Sequence, residues 1–332
     1  MKFRTYFVIR VFTCIITILI GATLIFFIPR VLPSDPVETM IGTIISRTMT
    51  MEPEQIAALR HSLNVQFGLD GTLWEQYISY LRNGLLRFDF GPSLSAFPMP
   101  VTEIIGRNLP YTLFLMVGST VLAWVIGNTI GLLSGFLKDR FSSKTMESIA
   151  IFLYPIPYFV VALVLQITFS FILQWFPLQS IIYATPGTPG FFAELINVSL
   201  LPALSMFLIG MGWWIISMKA LSSTTAAEDF VLFARYRGLS EGRIGSKYVF
   251  RNSILPQITA LGLSIGGVFG GAIMTEIIFS YPGVGSLLRD AIGRSDYNMI
   301  LGCVTISIVA ISMITLIIDL VLPFFDPRVR YG

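Results

Sequence analysis

Long apolar runs separated by polar stretches constrain this chain more than any other feature. The runs cover approximately 11–28, 109–137, 146–174, 199–218, 254–280 and 300–322. Each run can cross the roughly 30 Å hydrocarbon core of a bilayer, for which about 20 apolar residues suffice as a helix. With 54% hydrophobic and only 12% charged residues, the chain is also too apolar for a typical soluble domain. The pattern predicts an all-α polytopic membrane protein with six transmembrane helices.

The basic residues are distributed unevenly between the predicted loops. Of the 22 Lys and Arg residues, the following lie on one predicted face: Lys2, Arg4, Arg10, Lys138, Arg140, Lys144, Lys219, Arg235, Arg237, Arg243, Lys247, Arg251, Arg328 and Arg330. Because Lys and Arg accumulate in cytoplasmic loops, this face is predicted to be cytoplasmic. The predicted orientation is therefore N-in and C-in. The first run is predicted to remain as an uncleaved helix, since no small-residue cleavage site follows it.

The runs and loops predict four parts of the chain. They are an N-terminal transmembrane helix (1–28), an external helical segment (29–107), a five-helix core (108–322) and a cytoplasmic tail (323–332). The core includes a cytoplasmic loop at 219–253. The external segment is too long for a simple connection, so we expect it to fold.

Two helices are predicted within the external segment. Pro53 and Glu54 are typical of a helix start, and this helix is expected to reach about Leu63. Thr72 and Glu75 have the spacing of a capping box at the start of the next helix. That helix is predicted to carry one apolar face formed by Leu73, Trp74, Tyr77, Ile78, Leu81 and Leu85. A small core is the default interpretation of this face, with contact to a partner or to the lipid interface as alternatives.

The stretch 225–256 is the longest polar interval on the predicted cytoplasmic face. Thr225 and Glu228 have the spacing of a capping box and predict the start of a helix. The apolar stripe predicted for this helix consists of Phe230, Val231, Phe233, Ala234 and Tyr236.

Gly238 is expected to end that helix, because glycine adopts the left-handed conformation of a helix C-terminus without strain. Ser240 and Glu241 predict a second helix, which must break or kink near Pro256. Two short helices that meet at a glycine form an elbow. Such an elbow, held against a membrane, offers a surface that a soluble partner can bind.

Two apolar runs contain residues that perturb helices or their packing. Pro155 and Pro157 are expected to bend the third span, as either a moving kink or a static packing kink. The fifth span carries glycines at four-residue spacings, namely Gly262, Gly266, Gly267, Gly270 and Gly271. Small residues at this spacing allow another backbone to approach closely.

Residues suited to catalysis or metal binding are scattered. Glu276 is expected at the outer interface, where its carboxylate can reach water, and Asp319 near the inner face in a snorkelling or capping role. His61 has no His or Cys neighbours in sequence, and Cys14 and Cys303 lie in apolar runs where packing is the expected role. The sequence has no P-loop, His-Glu-x-x-His or Gly-x-Ser-x-Gly motif. No metal site and no enzymatic activity are predicted.

Ala234-x-x-x-Gly238, followed by Arg251-Asn252-x-x-Leu255-Pro256, resembles the EAA coupling loop of ABC importer permeases. Pro33-Ser34-Asp35-Pro36 and Asp89-Phe90-Gly91-x-Ser93 are similar to the B-type chain of the dipeptide/oligopeptide/nickel branch. The resemblance extends from Pro33 to Gly332. It implies that the loop docks on a cytoplasmic ATPase and carries the motion of that ATPase to the transmembrane helices.

The resemblance assigns expected roles to two groups of residues. The residues expected to couple to the ATPase are Glu228, Asp229, Ala234, Arg235, Gly238, Leu239, Arg251, Asn252 and Pro256. The five glycines of the fifth span are expected to serve helix packing, or, in a sharper hypothesis, to line the translocation path beside a second permease subunit.

The implied protein is the permease subunit of an ATP-driven importer in the cytoplasmic (inner) membrane of a prokaryote. Its implied partners are a second homologous permease, two cytoplasmic ABC ATPases and an external substrate-binding protein. No cofactor is expected on this chain, since ATP and Mg would bind the ATPases, and its dispersed basic residues do not predict nucleic-acid binding. Peptides are the leading substrate, with oligosaccharides and nickel as alternatives.

Two other classes of function remain open from the residues alone. An ATP-independent secondary transporter or channel is the main alternative, although its charged residues would usually lie within the spans. A membrane enzyme or scaffold is the second alternative and is disfavoured by the missing catalytic motifs.

Overall fold

The computed structural model describes residues 3–31, 36–48, 52–137 and 141–325. The α-helices α1 to α13 are, in chain order, Phe3–Val31, Pro36–Thr48, Pro53–Gln66, Leu73–Ser79, Val101–Phe136, Phe141–Leu153, Tyr158–Leu165, Phe191–Ala226, Asp229–Tyr236, Glu241–Ile244, Arg251–Phe279, Val284–Gly293 and Tyr297–Phe325. Three π-helical segments, π1 to π3, are Tyr80–Leu85, Gln166–Ile172 and Gly245–Phe250. Within the described ranges the only β-type pairing is an isolated bridge between Pro92 and Pro100. The predicted all-α fold is confirmed.

Several of these helices are long and apolar enough to cross a membrane. Four qualify alone: Arg4–Arg30, Val101–Phe136, Phe191–Ala226 and Tyr297–Val321. A fifth is obtained if the bent pair Lys144–Leu153 and Tyr158–Ile172 is counted as one span. The chain is therefore a helical, multi-pass membrane protein. Helix α11 is 29 residues long, but its side chains at 263 and 265–271 lie outside the described residues.

The third predicted span is interrupted rather than merely kinked. Helix α6 ends at Leu153, α7 begins at Tyr158, and the two helices differ in direction by 101°. Pro155 and Pro157 have no backbone N–H, so neither can donate a helical hydrogen bond within this one turn. Between them only the Ile156 N–H donates, to the Leu153 carbonyl at 3.1 Å. The expectation of a single bent helix over 146–174 was wrong in this respect.

The chain forms two compact units. The first contains the start of α1, Leu113–Tyr281 and the end of α13, and the second contains Ile9–Thr112 and Pro282–Met313.

In the first unit, α5 and α8 approach closely along three glycines spaced four residues apart, the glycine seam. A Cβ added to Gly127 would lie 2.6 Å from the Trp214 Cβ, and one added to Gly131 would lie 2.6 Å from the Ile215 carbonyl oxygen. A Cβ on Gly135 would lie 2.5 Å from the carbonyl oxygen of α8 at position 219. Since real Cβ atoms do not approach backbone so closely, these glycines allow the two helices to pack at this distance.

In the second unit, a buried carboxylate joins the loop before α5 to the start of α13. Asp296 Oδ2 accepts hydrogen bonds from Ser93 Oγ (2.6 Å), Ser95 N (2.9 Å) and Ser95 Oγ (2.9 Å). Its Oδ1 accepts from Met299 N at 3.1 Å and so caps α13. The Asp89–Ser93 motif therefore lies in a loop that is attached to α13 by these bonds.

The helices of the 29–107 segment agree with the sequence in part. Helix α3 begins at Pro53 as predicted, and the capping box of α4 is confirmed, with Thr72 N donating to Glu75 Oε2 at 2.7 Å. These bonds from Thr72 lower the pKa of the Glu75 carboxyl.

The predicted single apolar face is only partly correct. Tyr77, Leu81 and Leu85 pack on the core of the second unit, whereas Leu73, Trp74 and Ile78 are exposed. The helix becomes π-helical at Tyr80, which changes the angular spacing of the later residues.

Glu276 does not reach water as the sequence suggested. Its side chain is fully buried in the last turn of α11. Asp319 is half-buried, and its backbone carbonyl accepts a hydrogen bond from the Tyr6 hydroxyl at 2.9 Å.

We predict that Gly131→Ala lowers the stability of the first unit by about 1–3 kcal/mol, because the new methyl group would press on the backbone of α8. The measurement is thermal unfolding in detergent, followed by the helical circular dichroism signal. Gly118→Ala is the matched control, since it lies on the same helix with nothing within 4 Å of the added Cβ. Equal melting temperatures for the two variants would contradict the close contact.

Candidate functional site

The predicted elbow consists of α9, α10 and π3, which follow the end of α8. Helix α8 continues to Ala226, and α9 begins at Asp229 with Glu228 as its N-cap. The predicted capping box from Thr225 is wrong, because Thr225 lies in the last turn of α8. Its hydroxyl accepts a hydrogen bond from Ser253 Oγ at 3.1 Å. The α9 start is instead held by the Glu228 carbonyl, which accepts from Val231 N at 3.0 Å.

The end of α9 has the geometry that the glycine predicted. Gly238 has a φ of +74°, and its N–H donates to the Arg235 carbonyl at 2.9 Å. The Leu239 N–H donates to the Ala234 carbonyl at 3.3 Å. These two bonds constitute a Schellman motif, in which the apolar residue after the glycine packs back on the helix. Ala234, Gly238 and Leu239 therefore form one structural unit at the turn.

The inner side of the elbow is a small apolar core. Val231, Ala234, Ile244 and Val249 are buried together. Partly buried neighbours pack against them, including Leu132, Phe136, Ala226, Leu239 and Tyr248. Because Leu132 and Phe136 belong to α5, the elbow packs against α5, the helix that also contains the glycine seam.

The outer side of α9 is unusually apolar for an exposed surface. Phe230 is 41% exposed, Phe233 68% and Tyr236 85%. The prediction of one five-residue stripe was wrong, because the stripe divides between two sides of a short helix. Val231 and Ala234 point into the elbow core, while the three aromatic residues form an outward face. Exposed aromatic residues grouped in this way are typical of a protein-binding surface.

A salt bridge connects the two arms of the elbow, which are α9 and α10. Arg235 Nε donates to Glu241 Oε1 at 3.0 Å, and Arg235 Nη2 donates to Glu241 Oε2 at 3.3 Å. The Arg235 guanidinium also lies 5.9 Å from the centre of the Phe136 ring. The pair is solvent-exposed, so it adds little stability by itself, but its two hydrogen bonds link α9 to α10 in a defined geometry. Glu241 was predicted to begin the second helix, and its partnership with Arg235 was not foreseen.

Beyond the elbow the chain continues into α11 without interruption. Helix α10 passes through π3 into α11, and Pro256 lies inside α11. The helix therefore does not break at Pro256, and the alternative, a kink near Pro256, stays a prediction. Arg251, Asn252 and Pro256 are exposed, and Asn252 Nδ2 donates to the Tyr248 carbonyl at 2.7 Å.

Gln257 is a buried polar residue that sequence reasoning missed. Trp124 Nε1 of α5 donates to the Gln257 carbonyl at 3.1 Å, and Gln257 Nε2 donates to Ser217 Oγ of α8 at 2.8 Å. A glutamine beside a proline within an apolar run could have indicated such a contact, since polar side chains join helices within membranes.

Of the five glycines in α11, the structure describes the surroundings of Gly262. Gly262 is buried, and a Cβ there would collide with Ile318 Cγ2 of α13. The surroundings of Gly266, Gly267, Gly270 and Gly271 lie outside the described residues. Gly262 therefore packs against a helix of the same chain.

A cavity of about 430 Å³ lies beside the break between α6 and α7. Its lining residues include Tyr154, Tyr158, Trp213, Trp214, Thr120 and Ser264. Trp213 and Trp214 meet edge to face, with ring centres 4.5 Å apart. Because Ser264 belongs to α11, this helix forms part of the cavity wall.

Comparison with known proteins gives the family. Residues 127–331 match the family described as "binding-protein-dependent transport system inner membrane component". The matched region covers more than half of the chain and includes the elbow. The chain belongs to this family. Its members are membrane components of transport systems, and this permease is accordingly a transport component rather than an enzyme.

The permease is also similar to individual family members over nearly its full length. It is 32% identical to the oligopeptide transport system permease protein AppB of Bacillus subtilis, over 98% of this chain and 99% of AppB. It is 29% identical to the dipeptide transport system permease protein DppB of Escherichia coli, over 98% of each chain. The di/tripeptide permease DppB of Pseudomonas aeruginosa is 28% identical over the same shares.

We predict that Val231→Ala loosens the elbow of this permease. Removal of two methyl groups from a fully buried side chain costs about 1–2 kcal/mol. Local opening of the elbow should then rise by about tenfold, which hydrogen exchange of the 229–250 amides would detect. Leu232→Ala is the matched control, since Leu232 is 39% exposed on the same helix. Equal exchange in both variants would show that the elbow does not depend on its core.

Proposed function

We propose that this chain is the permease subunit of an ATP-driven importer of peptides. It has six transmembrane helices, with both termini in the cytoplasm, and lies in the inner membrane of a prokaryote. It pairs with a second homologous permease and forms half of the translocation path. Two cytoplasmic ABC ATPases bind ATP and Mg and power transport, and an external binding protein delivers the substrate. The chain itself binds no cofactor.

The observation that carries this proposal is that α9 has an exposed aromatic face, while its opposite side is buried in the elbow core. Phe230, Phe233 and Tyr236 are exposed on the proposed cytoplasmic side, where large exposed aromatic residues cost free energy unless a partner covers them. An ATPase groove that buried these residues would gain the contribution that aromatic residues typically make to interfaces. Three basic residues of the elbow, Arg237, Arg243 and Lys247, are also exposed and would complement an acidic rim.

The proposed mechanism follows from how the elbow is built. Closure of the ATPases on ATP displaces the elbow, and the apolar core and the Arg235–Glu241 pair keep its arms at a fixed angle. Since π3 joins the elbow to α11 without a gap, the displacement passes to α11 as a rigid-body movement. The outward and inward openings of the path then alternate.

Two further observations support the substrate class and the path. Three relatives that align over nearly the full chain are named as oligopeptide, dipeptide and di/tripeptide permeases, which favours peptides over oligosaccharides or nickel. Ser264 of the glycine-rich helix lines the 430 Å³ cavity, which supports a place for α11 beside the path. The glycines at 266–271 are proposed to face the second permease.

The subunit composition is tested by affinity purification of the tagged chain from native membranes in mild detergent, followed by mass spectrometry. We expect two ATPases, a second permease and an external binding protein. A chain that is purified alone and moves solute after ATP depletion would instead indicate a secondary transporter or channel.

We predict that Gly238→Val inserts normally but uncouples ATP hydrolysis from uptake. Its φ of +74° costs about 1–2 kcal/mol for a residue with a side chain, and more for a β-branched one, so the arms of the elbow shift. The measurement is peptide uptake and ATP hydrolysis by the reconstituted transporter. Gly242→Val is the control, because both glycines have nothing within 4 Å of an added Cβ and only Gly238 is left-handed. Normal uptake by Gly238→Val would refute the coupling role of the elbow.

A further inference from the structure

Arg30, the last residue of the apolar span in α1, holds its guanidinium among neutral groups of the second unit. Nε and Nη2 donate to Gln76 Oε1 at 3.3 and 3.2 Å, and Nη1 donates to the Phe26 carbonyl at 2.9 Å. The guanidinium carbon lies 3.7 Å from the centre of the buried Phe26 ring. These contacts fix the side chain in place, and all of them are with neutral groups.

The arrangement leaves donors available for a ligand. A guanidinium has five N–H donors, and the hydrogen bonds above use three of them. Among the residues that the structure describes, no carboxylate lies within ion-pair distance of Arg30. A half-buried cation without a counter-charge is costly, and an anion that accepts its two remaining N–H bonds would remove that cost.

Arg30 lines a polar cavity of about 240 Å³. Among the other lining residues are Gln66, Gln76, Ser79, Asn83, Asp89 and Asn298. Asp89 is exposed, and its Oδ1 accepts a hydrogen bond from Gly91 N at 3.0 Å. The cavity is smaller than a site for a drug-sized molecule, and its described lining includes one positive side chain, Arg30, and one negative side chain, Asp89. It therefore suits a small group that itself bears both charges.

The surroundings of the cavity indicate a membrane ligand. Because Arg30 ends the apolar span Arg4–Arg30, its guanidinium lies where that helix leaves the hydrocarbon. Phe27, Leu73 and Trp74 are 44%, 58% and 66% exposed. Tyr77 stacks on Phe27 at 6.0 Å and contacts Trp74 at 5.6 Å between ring centres. Such an aromatic series is typical of the lipid headgroup level, and its exposed apolar surface can hold acyl chains beside Arg30.

We propose that this cavity binds the headgroup of a phospholipid that carries both a phosphate and a primary ammonium group, as phosphatidylethanolamine does. The phosphate accepts hydrogen bonds from Arg30, and the ammonium group pairs with the Asp89 carboxylate. The acyl chains lie along Phe27, Leu73 and Trp74. The site is separate from the elbow and does not depend on the transport proposal.

The test is native mass spectrometry of the full-length chain in detergent, with phosphatidylethanolamine and phosphatidylglycerol of identical acyl chains. We expect the parent protein to prefer phosphatidylethanolamine, and Arg30→Gln to weaken its binding by about tenfold or more. Arg82→Gln is the matched control, because Arg82 is an exposed arginine of the same unit outside the cavity lining. Equal binding by Arg30→Gln and Arg82→Gln would overturn the proposal.

A second variant tests the ammonium contact without risk to the fold, since Asp89 is exposed. Asp89→Asn should bind both lipids equally while it retains phosphate recognition. A parent protein that prefers phosphatidylglycerol, or an Asp89→Asn variant with unchanged preference, would overturn the assignment of Asp89.

A third experiment adds inorganic phosphate as a competitor. If millimolar phosphate displaces the lipid fully, the site is one for free anions and the lipid proposal fails.

Discussion

The backbone contact between α5 and α8 along the glycine seam is the constraint on which the functional part of the first unit depends. Gly127, Gly131 and Gly135 bring the two helices so close that a methyl group on any of them would strike α8. The elbow rests on Leu132 and Phe136, which lie within the same stretch of α5. The elbow starts three residues beyond the end of α8. Its position therefore follows from two helices that cannot slide apart without losing close packing.

Backbone chemistry made part of this structure predictable from sequence. The apolar runs gave the long helices, because their lengths match a bilayer. Gly238 gave a left-handed helix end, and Thr72 with Glu75 gave a capping box, since both depend only on neighbours within a few residues. Thr225 failed as a cap because α8 continues through it to Ala226, and its hydroxyl there accepts from Ser253, 28 residues away in the chain. A local rule cannot anticipate a tertiary partner of this kind.

The prolines also show that a local sequence rule cannot anticipate tertiary contacts. Pro155 and Pro157 remove two donors within one turn and end a helix, whereas Pro256 lies inside α11. Pro256 follows π3, and the nearby carbonyl of Gln257 is held by Trp124, so contacts from other helices support the backbone there. The residues proposed to couple to the ATPase could be named from sequence only by resemblance. The division of the apolar stripe of α9 into buried Val231 and Ala234 and outward Phe230, Phe233 and Tyr236 required the tertiary structure.

The uninterrupted path from α10 through π3 into α11 makes this part of the chain a lever. A helix rises about 1.5 Å per residue, so the path from Glu241 to Phe279 is roughly 55 Å long. Gln257, bonded to α5 through Trp124 and to α8 through Ser217, lies between its ends and can act as a fulcrum. Because Gln257 is closer in the chain to Glu241 than to Phe279, a rotation about it would displace the Phe279 end, where Glu276 is buried, further than the Glu241 end.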